Sequence, residues 1–227
     1  MEKNSIVCIN VKSLKAAVKF LLHLIILLTL LSCKSKKEVF QYMTYDFTKE
    51  ADILSYNGND INLIIPEYYN EYKITGIKGI FKSMGVDERK YSLETLKCAN
   101  VKKISSSVFY DCILLNTIDI GSVEYIGSNA FKNCFSLNEV YFSECIDIID
   151  EYAFDNCYNL KNVYFYNNPS YIAKTAFEET VVFHGVSGGS VEKFAKDNGY
   201  EFIAIEADKK VNWCHIRKNF VIFFLFF

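Results

Sequence analysis

The sequence predicts a β-rich solenoid, a short coil of repeating units with each turn stacked on the last. Three observations predict it. Phe109, Phe131, Phe154 and Phe177 lie 22, 23 and 23 residues apart, and a fixed period of roughly 20–50 residues marks stacked repeat units. Apolar residues recur inside each unit at fixed offsets: Phe109, Cys112, Leu115, Ile118, Ile120, then Phe131, Cys134, Leu137, Val140, Phe142, then Phe154, Cys157, Leu160, Val163, Phe165. Finally, each unit is too short to bury its apolar face alone but can do so against its neighbours.

The offsets assign local structure. Phe, Cys and Leu fall three apart, which suits a tight turn or a short 3₁₀ piece. The last two apolar positions alternate with polar or aromatic ones, the strand period of two. One unit is therefore a turn followed by a short strand, with successive strands parallel and about 4.8 Å apart. A fourth unit opens at Ile172 and breaks off after Phe177. The expected core comprises Phe81, Phe109, Cys112, Leu115, Phe131, Cys134, Leu137, Phe154, Cys157, Leu160 and Phe177.

The segments IGSNAFKNCFSLNEVYF and IDEYAFDNCYNLKNVYF resemble the BspA-type leucine-rich repeat, of consensus I-G-x-x-A-F-x-x-C-x-x-L-x-x-I-x-I. The resemblance runs over roughly residues 52–205 and implies a leucine-rich-repeat array of four to five units. It departs from the family where Pro usually follows the strand: this chain has Gly121 and Ser143. The last unit carries Glu179 and Thr180 near the expected Cys.

In chain order, residues 1–33 read as a lipoprotein signal peptide. Lys3, Lys12, Lys15 and Lys19 precede the apolar run Phe20–Leu31, which is short for a membrane span of about 20 residues and right for a signal segment. Leu30-Leu31-Ser32-Cys33 resembles a bacterial lipobox, with Cys33 the lipidated residue. The alternatives are an uncleaved signal anchor, or ordinary cleavage with Cys33 incidental. Acyl chains contribute about 0.8 kcal/mol per buried methylene, so several chains anchor firmly.

Residues 34–39 form a polar tether, and residues 40–76 an N-terminal β cap with a first irregular repeat. Asn57-Gly58 between apolar runs is a turn signal. The repeats occupy residues 77–183. The step from Phe81 to Phe109 is 28, and the excess lies around Gly85–Tyr91, either a binding-face insertion or a tolerated loop. Residues 184–206 make a C-terminal strand–helix–strand cap: Ser190 as N-cap, a helix, Gly199 as its stop, then a strand over Tyr200–Ile205. Residues 207–227 end in Phe220–Phe227, eight apolar residues that span only about 12 Å as a helix. That tail is a disordered sticky segment, a layer on the cap or a reading-frame accident.

Composition narrows function. A formal net charge of −2 offers no electrostatic ground for nucleic acid; removing Met1–Ser32 takes away four Lys and Glu2, leaving about −5. Gly185-Val186-Ser187-Gly188-Gly189 matches the G-x-S-x-G nucleophile elbow, but His184 is too near in sequence for the usual triad geometry. A flexible turn before a capped helix is the competing reading, and the chain is read as no enzyme. Cys98, Cys112, Cys134, Cys145 and Cys157 form no C-x-x-C and have no His at ligand spacing, so neither metal nor cofactor is expected. The periodic cysteines read as buried thiols, with disulfides the alternative in an exported chain.

Between the inward positions stand Thr95, Lys97, Thr117, Asp119, Glu139, Tyr141, Asn162 and Tyr164. Period two turns them outward on one shared surface, the candidate binding face, or else a solvated sheet face of ordinary β-formers. The resemblance implies a bacterial envelope protein, lipid-anchored and surface-exposed, that binds a protein ligand in adhesion or in host or matrix interaction. A structural envelope protein without external ligand and a Ser187 hydrolase are the rivals.

Overall fold

The computed structural model describes residues 40–58, 60–79, 92–98 and 100–205. All belong to the second of two units, Phe40–Phe227. Cys33 and Phe81, the loop around Gly85–Tyr91 and the tail after residue 205 lie outside the described residues.

Strands β1 (Phe40–Tyr45) and β2 (Glu50–Tyr56) form an antiparallel hairpin. The chain then coils through β3 (Asn62–Ile65), β4 (Tyr68–Tyr69), β5 (Tyr72–Ile77) and β6 (Thr95–Cys98). The next turns supply β7 (Lys103–Ile104), β8 (Thr117–Asp119), β9 (Tyr125–Ile126) and β10 (Glu139–Phe142). Then come β11 (Ile148–Ile149), β12 (Asn162–Phe165), β13 (Tyr171–Ile172) and β14 (Val182–Gly185). Helix α1 (Ser190–Asn198) and β15 (Phe202–Ala204) follow.

Each turn gives one strand to each of two flanks. One flank is a sheet of order β1-β2-β5-β7-β9-β11-β13, with β4 beside β5. The other is divided into β3-β6-β8 and β10-β12-β14-β15. The fold is thus a β-solenoid of about six turns with one helix near its C-terminal end.

This revises the sequence expectation in two places. The count is about six turns, not four to five, because β2 with β3 already completes a turn. Each unit has two strands rather than one. The second is only two residues long, with Ile104, Ile126, Ile149 and Ile172 in register as its inward side chains, and a two-residue strand is too short to display a period. Asn57-Gly58 lies where the chain turns, as the sequence suggests, and it joins the two flanks: β2 pairs with β1 and β5 whereas β3 pairs with β6.

Phe109, Phe131, Phe154 and Phe177 stack through the centre at 5.2, 5.1 and 5.0 Å, with ring planes within 12° of parallel. The last strand position forms a second stack, Phe142 on Phe165 at 4.6 Å and Phe165 on Phe183 at 5.9 Å. Cys112, Cys134 and Cys157 are buried free thiols, and Leu115, Leu137 and Leu160 are fully buried.

The turn around each Phe has a fixed backbone. Ser107 and Asp111, Asn129 and Asn133, Tyr152 and Asn156 all have φ between 58° and 64°, two residues before and after the Phe. Asn and Asp tolerate this left-handed region, a bulky Tyr does so at a cost. The geometry points N–H groups at the next turn: Phe109 N donates to Ala130 O and Phe131 N to Ala153 O, both at 2.8 Å. Cys134 Sγ donates back to Phe109 O at 3.4 Å, and Cys157 Sγ to Phe131 O at 3.2 Å. The cysteine therefore does more than fill space: its thiol adds a bond between turns in the buried interior.

At the C-terminal end, Phe183 packs on Phe194 and Tyr200, and Tyr200 donates its hydroxyl to Phe177 O at 3.0 Å. The helix N-cap is Gly189 rather than Ser190. Asn168 Oδ1 accepts the Ser190 N–H at 2.9 Å, while Ser190 Oγ donates to Pro169 O. A loop residue from the preceding turn thus supplies an acceptor for the first N–H of the helix, one of the donors left without an intrahelical partner. Gly199 ends the helix at φ 80°.

Candidate interaction face

The eight outward residues fall into four in-register rows, two on each of two separate sheets. Thr95 and Thr117 continue a row from Asn62, and Lys97 and Asp119 one from Ile64. Glu139 and Asn162 lead to Val182; Tyr141 and Tyr164 lead to His184 and then Ile203. No strand pairing joins β8 to β10, so the ladder of hydrogen bonds is interrupted there although the two strands lie side by side. Period two fixes which side chains alternate outward. It carries no information about which neighbouring strands complete their hydrogen bonds.

The β10-β12-β14 part has the more ordered surface. Tyr141 stacks on Tyr164 at 4.5 Å and 6°, and Tyr164 on His184 at 4.3 Å and 19°. Tyr141 donates its hydroxyl to Glu139 Oε2 at 2.7 Å. Asn162 turns Nδ2 toward Glu139 Oε1 at 3.5 Å and Oδ1 toward His184 Nε2 at 2.9 Å. With an acceptor facing it, Nε2 is the protonated nitrogen of the neutral ring.

Electrostatics keep the rings uncharged near neutrality. Burial lowers the His184 pKa below its ordinary 6.5, against the opposing pull of Glu139 and Glu201. Burial first, then Glu139, pushes the Tyr141 phenol up; Tyr164 moves the same way for the same reasons. A neutral aromatic row therefore lies beside carboxylates.

His184 and Ile203 complete the row but escape the repeat pattern. His184 follows Tyr164 by 20 residues, not 23, because the last turn is shorter. The alternation in Val181–His184 was the available signal. A polar chain also went unread: Asn133 Nδ2 donates to Asp111 Oδ1 at 2.5 Å and Asn156 Nδ2 to Asn133 Oδ1 at 2.8 Å, just after the Phe stack. Beside it, exposed Phe135 and Tyr158 stack at 5.7 Å.

Ser187 sits in the turn before α1. Its hydroxyl donates to Glu192 Oε2 at 3.2 Å, and the same oxygen accepts the Gly188 N–H at 2.6 Å. Ser187 thus joins a helix-start network, and the neighbouring His184 ring engages Asn162 instead.

A coil that stacks Phe on Phe through four successive turns, with one strand per flank, has the form of a leucine-rich-repeat solenoid. Residues 88–197 match the BspA type leucine rich repeat region in six copies, and the repeat region of this chain belongs to that family. Solved structures of similar form include a leucine-rich repeat protein of T. pallidum, at 18% identity over 74% of this chain and 97% of that one, TM-score 0.46. A leucine rich cell surface protein of Faecalibacterium prausnitzii A2-165 matches at 19% identity over 66% and 44%, TM-score 0.43. The pneumococcal vaccine antigen PcpA matches at 16% identity over 76% and 49%, TM-score 0.49. This chain spans less than half the length of the latter two. No curated protein shows significant similarity to it.

Proposed function

We propose that this chain is a bacterial cell-envelope protein, anchored by lipid on Cys33, that binds another protein through the β10-β12-β14 face. The leader's basic region, apolar run and Leu-Leu-Ser-Cys ending support the anchor. The BspA-type repeat supports a non-enzymatic, surface-displayed interaction role, in adhesion or in contact with a host or matrix protein. The observation that carries the binding reading is the Tyr141–Tyr164–His184 stack. Three rings in register on an outward face offer rigid amphipathic contact area at little entropic cost, and aromatics are enriched in interfaces.

The test has two arms on cells expressing the full chain. Palmitate labelling is expected for the natural sequence and not for Cys33→Ala. A photo-crosslinking residue at position 164 should capture an external protein, while the same probe at position 125 on the other flank should not. Equal capture from both positions, or none from 164, overturns the assignment of this face.

A further inference from the structure

We infer that the partner segment for this face carries lysine or arginine side chains; the inference rests on the face being the docking surface proposed above. The charged groups that act on the row are carboxylates. Glu139 and Glu201 both bear on His184, and Glu139 bears on Tyr141 and Tyr164. Neither Glu139 nor Glu201 has an ion pair among the described residues. At some other carboxylates this chain supplies its own lysine: Lys78 on Asp52, Lys102 on Glu124, Lys132 on Asp155 and Lys196 on Glu192.

Glu139 is also held in place. Tyr141 fixes one carboxylate oxygen and Asn162 the other, so the negative charge is preorganised at the edge of the aromatic row. The chain shows what complements such a set. Lys132 stands over the Tyr152 ring at 5.3 Å while pairing with Asp155 at 2.6 Å. Lys78 does the same over Tyr45 at 5.2 Å while pairing with Asp52 at 2.8 Å. A tyrosine beside a carboxylate is thus twice completed by a cation within the fold. At Glu139 and Glu201 no lysine of the described residues fills that place, and a partner's cation would be recognised there by charge-assisted hydrogen bonds to carboxylate and phenol oxygens. Ile203, exposed at the end of the row, offers apolar contact to the residues between.

The test uses the full chain and three short extended peptides of equal length, alternating valine with arginine, glutamine or glutamate. Fluorescence anisotropy should show the arginine peptide binding most tightly, with affinity falling as salt rises. Glu139→Gln with Glu201→Gln should weaken it by about tenfold or more. Glu71→Gln with Glu124→Gln, which changes net charge equally away from the face, should not. If the glutamine or glutamate peptide binds as well and Tyr141→Ala with Tyr164→Ala abolishes that binding, the docking face stands and the basic partner is overturned. An arginine peptide that fails to bind, or that responds equally to both glutamine pairs, overturns the inference as well. Thermal melts of each variant establish that it is folded.

Discussion

Phe131→Ala tests the central stack most directly. Phe131 is fully buried between Phe109 at 5.2 Å and Phe154 at 5.1 Å, both nearly parallel. Truncating a buried Phe to Ala costs about 3–5 kcal/mol. The site lies near the upper end, because backbone bonds to both neighbouring turns leave the rings little room to collapse into the void. In a chain of this size about 1 kcal/mol shifts Tm by about 2–4 °C, so the melt should fall by about 10 °C or more. Tyr141→Ala removes a ring that is 37% exposed and should cost far less, on the order of 1 kcal/mol. Urea midpoints and circular-dichroism melts on both variants make the comparison. Phe131→Ala with Phe154→Ala should be non-additive by roughly 0.5–1.5 kcal/mol, the worth of a ring pair. If Tyr141→Ala is the more damaging, or if Phe131→Ala costs under about 1 kcal/mol, the stack does not hold the coil together and the reasoning fails.

Other outcomes follow from single features. Tyr152 holds φ 58° where the neighbouring turns place Ser107 and Asn129; Tyr152→Asn should therefore stabilise by about 0.5–1 kcal/mol in urea titration, relieved backbone cost outweighing its contact with Lys132. Alkylation of native protein at neutral pH, read by mass spectrometry, should modify exposed Cys145 and spare Cys98, Cys112, Cys134 and Cys157 until denaturant is added. Burial also raises the Cys98 and Cys134 thiol pKa values and keeps them unreactive. His184 has a folded pKa below its ordinary 6.5, so the unfolded chain takes up the proton first. Its contribution is present above pH 6.5 and is lost as pH falls toward the folded value. Stability of His184→Gln relative to the natural chain should rise on acidification through that window; a pH-independent difference would refute the assignment.

What the sequence made legible was the part with a long, strict period. The Phe, Cys and Leu positions announce themselves because each inward side chain must meet its counterpart one turn away. The two-residue strands at Ile104, Ile126, Ile149 and Ile172 could not be read, since one inward residue per strand carries no alternation. The N-terminal turn from β2 to β3 was legible only as an irregular first repeat, because its strands lack the Phe–Cys–Leu spacing. His184 was hidden by the shorter final turn. The break between β8 and β10 has no sequence signal at all, because lateral pairing is decided by backbone placement. The left-handed positions left a partial one: Asp111, Asn129, Asn133 and Asn156 are types suited to that backbone, whereas Ser107 and Tyr152 are not obvious members of the set.

The N–H of each stacked Phe is satisfied by a carbonyl one coil further along, Phe109 by Ala130 and Phe131 by Ala153. Slipping one coil by a single residue would orphan every such donor and rotate its side chains out of the interior. Gain or loss of an entire coil leaves all remaining donors matched. Molecules built this way can change length in whole increments, by duplicating or excising a segment of about 23 residues, while smaller changes are confined to the loops between strands.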